Sequence, residues 1–143
     1  MMKITAEEVT LGCRAKNRDD VLRQAAFELA ARGCVDIGFS KALLDREKEL
    51  STWIGSGLAM PHINRRDARR VNRSGFHFLQ YPEGVSWDKS HVAFLVVVVA
   101  AKDGEHIDML SSLADLLADE RKVTRLSLVA SKEAFLNILN DQE

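Results

Sequence analysis

The chain has 143 residues, 46% of them apolar, a net charge of −1 and two cysteines. That is enough apolar mass for one core in one domain without a metal or disulfide scaffold, and the near-neutral balance gives no general field for nucleic acid. The amino terminus, Met-Met-Lys-Ile-Thr-Ala-Glu-Glu, lacks the basic and apolar regions of a signal peptide, and the longest apolar run, residues 92–101, is far short of the ~20 residues needed to cross a bilayer. A cytoplasmic protein is expected. Cys13 and Cys34, with no ligand spacing, read as reduced, part-buried thiols.

No linker or repeat divides the sequence, so residues 1–143 read as a single domain. Asn17 or Asp19 can cap a helix whose apolar face is Val21, Leu22, Ala25, Ala26, Leu29 and Ala30, with Gly33 as its stop. A second helix is predicted from near Ser40 to Arg46, then short strands at 51–54 and 58–60. Residues 75–81 form a better strand, closed by a turn at Pro82-Glu83-Gly84. Residues 92–101, nearly all β-branched or small, lack polar alternation and predict a central strand covered on both faces. Helices follow at 105–117, around 120–125 and at 132–139, with 127–130 a candidate last strand. Alternating helices and strands predict α/β layers around a mixed sheet.

The chemistry concentrates on Met60-Pro61-His62. Proline fixes its own φ and biases the residue before it towards extended geometry, so His62 leaves the strand end on a stiff support. Gly55 and Gly57 allow a tight turn and a close approach, expected to carry the chain behind His62. A neutral imidazole is a good nucleophile towards phosphorus, and His62 is the candidate. His106 falls in the first turn of a helix, where free amides and the helix dipole favour an anion. Arg65, Arg66, Arg69, Arg70 and Arg73 crowd the segment after His62. They read either as a solvated face balanced by acids or as a positive rim that draws phosphate or an acidic partner. His77 and His91 are expected to be structural. With no HExxH, Walker A or GxSxG pattern, no metal, nucleotide or serine nucleophile is expected, and no cofactor.

The stretch Arg46-Glu47-Lys48-Glu49-Leu50-Ser51-Thr52-Trp53-Ile54-Gly55-Ser56-Gly57-Leu58-Ala59-Met60-Pro61-His62 resembles the phosphorylation-site motif of enzyme IIA domains. These belong to the fructose/mannitol class of the bacterial sugar phosphotransferase system. Asp103-Gly104-Glu105-His106-Ile107-Asp108-Met109-Leu110 is similar to the segment carrying that family's second active-site histidine. Phe78-Leu79-Gln80-Tyr81-Pro82-Glu83-Gly84-Val85-Ser86-Trp87 looks most like the fructose branch. The resemblance implies a five-stranded mixed sheet flanked by helices on both faces. It also implies that His62 accepts a phosphoryl group from HPr or an HPr-like domain and passes it to a cysteine of enzyme IIB. His106 would steady that group, and Arg46, matching the family's Arg-Glu pair, would neutralise its oxygens. The membrane is then involved only through enzyme IIC, and the chain can be the amino-terminal part of a longer protein. Ile63 departs from the small residue usual after Pro-His; it would crowd a partner or add contact at the docking face. With the arginine cluster, it leaves a regulatory module of the nitrogen-related branch as the alternative.

Overall fold

The computed structural model describes residues 3–140. Asn17, rather than Asp19, caps the first helix, α1 (Arg18–Ala31): its Oδ1 accepts from the Asp20 amide at 2.9 Å. Helix α2 (Phe39–Glu49) begins one residue before the predicted start and continues past Arg46. Strands β2 (Trp53–Gly55) and β3 (Leu58–Ala59) form a short hairpin. The long antiparallel pair β4 (Gly75–Ser86) and β5 (Val92–Ala100) builds the centre of the sheet. Helices α3 (His106–Leu116), α4 (Glu120–Leu128) and α5 (Lys132–Asn140) complete the chain. Among the described residues, no helix is long and apolar enough to cross a membrane.

The sheet has five strands in the order β1-β4-β5-β3-β2, where β1 (Val9–Thr10) runs parallel to β4. As expected, β5 is central. Its alternating side chains divide the core. Val96, Val98 and Ala100 pack with Val21, Leu22, Leu29, Phe39 and Leu43 of α1 and α2. Leu95, Val97 and Val99 pack with Leu113, Val123, Leu126, Phe135 and Leu139 of α3 to α5. This is the α/β architecture with helices on both faces.

Three expectations are corrected. Residues 127–130 are not a strand. Ser127 and Leu128 finish α4, and Ser127 Oγ donates to the Val123 carbonyl at 2.9 Å. Buried Gln80 closes that helix end by donating to the carbonyls of Leu126 and Val129 at 2.9 and 2.8 Å. The fifth strand is instead β1, too short to show any alternation of its own. Second, Pro82-Glu83-Gly84 does not end β4. Gln80 pairs with Leu95 and Val85 with Ala93, so the three residues bulge within a continuing strand. Third, the turn at Gly55-Ser56-Gly57 lies at the far end of β3 from His62. All three residues take positive φ, and the neighbour pressed against Gly57 is Phe94.

Candidate active site

Parallel pairing of β3 with β5 brings their carboxyl ends together, and the Val99 amide donates to the Pro61 carbonyl at 2.9 Å. That bond seats Pro61, itself buried, against the last residues of β5. His62 therefore emerges at the strand end from which the chain runs into α3. His106 is the first residue of that helix, and the two imidazoles meet edge-on, with centroids 5.4 Å apart and planes at 66°. The loop before α3 is tied down as well. Ser74 Oγ accepts from the Lys102 amide at 2.9 Å and donates to the Glu105 carboxylate.

His62 Nδ1 lies 2.8 Å from the Met60 carbonyl oxygen. A carbonyl can only accept, so Nδ1 carries the proton and Nε2 holds the lone pair of the neutral ring. Burial pushes the His62 pKa below the ordinary histidine value. The Met60 carbonyl opposes this, Arg46 and His106 add to it, and Glu47 pulls it back up. His106 is lowered too, first by burial and then by the charges of Arg65 and Arg46. Both rings are thus biased to the neutral form, and on His62 the lone pair available for attack is that of Nε2.

Arg46, in the last turn of α2, donates through Nη1 to the Leu50 carbonyl at 2.6 Å, and its charge reaches both histidines. The arginine cluster divides. Arg66 pairs with Glu49 at 3.1 Å and Arg70 with Asp36 at 3.4 Å, while Arg73 donates to the Arg32 carbonyl closing α1. Arg65 is the member whose charge acts on His106. Most of the cluster is therefore a face balanced by acids and carbonyls, and one residue contributes to the site.

Ile63 is only 4% exposed and packs in the core with α1 and α2. It neither crowds the approach to His62 nor adds to a docking face, because the backbone after Pro61 turns it inward. His77 and His91 remain outside the site. His77 is buried between Thr10 and Arg32, and His91 stacks on Trp53 with centroids 3.8 Å apart. Among the described residues, no group of three or more His, Cys, Asp or Glu side chains is placed to hold a metal ion.

The sequence reading gave Glu47 no role of its own, yet it is 3% exposed and accepts three hydrogen bonds, from the Thr52 amide and hydroxyl and from Trp87 Nε1. A signal was present: Glu47 falls on the buried stripe of Phe39, Ala42 and Leu43. An acid on an apolar helix face needs partners, which only the fold reveals.

The family described as "Phosphoenolpyruvate-dependent sugar phosphotransferase system, EIIA 2" matches residues 2–142. The mannitol-specific EIICBA component of Escherichia coli (strain K12) is 36% identical over 141 residues, which are 97% of this chain. The chain spans only 22% of that relative's length. The mannitol-specific phosphotransferase enzyme IIA component of Staphylococcus aureus (strain Mu50) is 34% identical over 137 residues, 96% of this chain and 94% of that protein. Among solved structures, the complex of enzyme IIAMTL and phosphorylated enzyme IIBMTL from Escherichia coli aligns with a TM-score of 0.90 and 35% identity, covering 96% of each chain. The fructose branch expected from residues 78–87 finds no support in these relatives, whose stated sugar is mannitol.

Proposed function

The chain belongs to the EIIA type 2 family of the phosphoenolpyruvate-dependent sugar phosphotransferase system, phosphoryl carriers that serve enzyme IIB, and from that premise we propose that His62 is the carrying residue. The observation that carries the reading is the His62 ring itself: Nδ1 is held by the Met60 carbonyl, which leaves Nε2 with the lone pair, and the ring lies edge-on to His106. Nε2 attacks the phosphorus of a donor phosphohistidine on HPr or an HPr-like domain. The N–P bond to the donor breaks, and its electron pair returns to the donor ring. In the second half, a cysteine thiolate of enzyme IIB attacks the same phosphorus, and the pair in the Nε2–P bond returns to His62. Neither step needs a proton to leave His62, so positioning and charge suffice. His106, the amino end of α3, Arg46 and Arg65 supply positive character for the phosphoryl oxygens.

The names of the relatives support a mannitol-type enzyme IIB as the acceptor. The chain works as a single IIA unit at the cytoplasmic side, and the membrane-embedded sugar site belongs to enzyme IIC. Burial of Ile63 and pairing of Arg66 and Arg70 weigh against a regulatory module.

The test is intact-mass detection of phosphoryl transfer with phosphoenolpyruvate, enzyme I and HPr. Wild type should gain one acid-labile phosphoryl group, and His62→Ala none. A purified mannitol-type IIB should discharge it faster than a fructose-type IIB. Normal labelling of His62→Ala would overturn the assignment, and preference for the fructose-type partner would overturn the sugar class.

A further inference from the structure

Glu47 is buried at the end of α2, and its two oxygens are fully engaged. Oε1 accepts from Thr52 Oγ1 at 2.7 Å, and Oε2 accepts from the Thr52 amide at 2.7 Å and from Trp87 Nε1 at 2.9 Å. Thr52 in turn accepts from the Met60 amide at 3.0 Å, and the Met60 carbonyl accepts from His62 Nδ1 at 2.8 Å. One continuous hydrogen-bonded chain thus runs from this carboxylate to the reacting imidazole. We propose that Glu47 is a positioning residue for His62, anchoring the Thr52–Met60 segment that aims the ring and setting a fixed negative charge behind it. The inference rests on His62 being the phosphoryl acceptor.

The charge has a chemical use. When Nε2 bonds to phosphorus, Nδ1 keeps its proton and the ring becomes cationic; when the cysteine takes the phosphoryl group, the ring leaves neutral. Besides the Met60 carbonyl, which favours the protonated ring through its hydrogen bond, the charged and titratable groups acting on His62 are Arg46 and Glu47 from α2 and His106 from α3, with Arg65 acting next door on His106. Of these side chains, Glu47 is the one whose charge favours the positively charged ring. The arginines and His106 suit the phosphoryl oxygens, and Glu47 suits the imidazolium. The site is polarised along the bond that forms and breaks.

Glu47→Gln removes the charge with little change of shape, and its amide oxygen can still accept from Thr52 and Trp87. By NMR titration, the His62 pKa in this variant should lie lower than in wild type, because the charge that favours the protonated ring is gone. Transfer from phospho-HPr should slow about three- to tenfold at saturating HPr, with its dependence on HPr concentration unchanged. Glu47→Asp keeps the charge but shortens the reach: His62 should titrate as in wild type, while transfer still slows because Thr52 is no longer held. A folded Glu47→Gln protein with unshifted His62 titration overturns the proposal, as does wild-type transfer in either variant. If Glu47→Gln fails to fold, the Glu47→Asp rate decides. Failure of wild type itself to accept phosphate would instead overturn the carrier reading, which the His62 titration does not probe.

Discussion

A histidine whose Nδ1 is bound to a carbonyl two residues back has a single nitrogen left for chemistry, and the His62 ring that carries it lies beside His106. Because the His106 ring meets the His62 ring edge-on, with centroids 5.4 Å apart, its loss should spare acceptance but weaken the hold on the transferring group. His106→Ala should therefore still be phosphorylated on His62, with transfer to IIB slowed about 10²-fold, as for removal of one well-placed donor; rapid-quench kinetics would show this. The pH dependence follows from the lowered His62 pKa. Acceptance should stay on its plateau as pH falls to the ordinary histidine value and decline only below it. Removing His106 removes a group that lowers His62, so the acid limb in His106→Ala should move to higher pH. An unmoved limb would mean that the two rings do not sense each other. His62, His106 and Arg46 could all be picked out as candidates from the sequence, because a proline-fixed strand end, a helix start and a matching motif are local signals. Arg65 was legible only as one of five arginines. Its separation from Arg66 and Arg70 depends on where Glu49 and Asp36 lie, which is tertiary information.

Elements were read best where their pattern was long. The α1 stripe and the unbroken apolar run of β5 appear in the fold nearly as predicted. The failures were short or irregular: the two residues of β1 and the mixed run at 127–130 cannot declare a period. Pro82-Glu83-Gly84 has true turn chemistry, but it serves a bulge because Val85 resumes pairing with Ala93. β5 answers with an irregularity of its own, since the amides of Phe94 and Leu95 both donate to the Gly57 carbonyl, at 2.7 and 3.1 Å. Phe94 is left between Gly57 and Gly84, at 37% exposure. Gly84 has φ +78°, and a Cβ there would lie 2.8 Å from both Phe94 Cε1 and Val92 Cγ1. Gly84→Ala should destabilise the fold by about 1–3 kcal/mol in urea titration, from backbone strain plus the clash. In a Phe94→Ala background the Phe94 part of the clash should disappear while the Val92 contact and the φ part remain, so the penalty should shrink without vanishing. An equal penalty in both backgrounds would remove Phe94 as a cause and leave the strain and the Val92 contact. The bulge lies at the end of the sheet away from His62, so phosphoryl acceptance by the folded variant should be unchanged.

At the scale of the whole molecule, three histidines are held below their ordinary pKa, and acid should unfold the protein through them. His77 is the strongest case, lowered from 6.5 to about 4 by burial, then by Arg32 and Lys132. Its geometry gives the reason. Nδ1 faces Arg32 Nη2 at 3.2 Å and so must accept, while Nε2 meets Thr10 Oγ1 at 2.7 Å. A proton on Nδ1 would set two donors against each other in a site where His77 is 2% exposed. The unfolded chain, with an ordinary histidine, binds that proton more readily. Stability from His77 is therefore complete above pH 6.5 and falls as pH drops towards 4, by about 3 kcal/mol over the window. Because Thr10 is in β1, His77 in β4 and Arg32 just beyond α1, this loss should loosen the sheet edge far from the carrier site. Urea midpoints measured from pH 7 to 4.5 should fall steeply for wild type and less steeply for His77→Gln, whose amide can accept from Arg32 and donate to Thr10 without titrating. If both fall alike, His77 is not the source, and the slope belongs to His62 and His106. Their lowered pKa values have the same sign, but their acid transition should be accompanied by loss of phosphoryl acceptance.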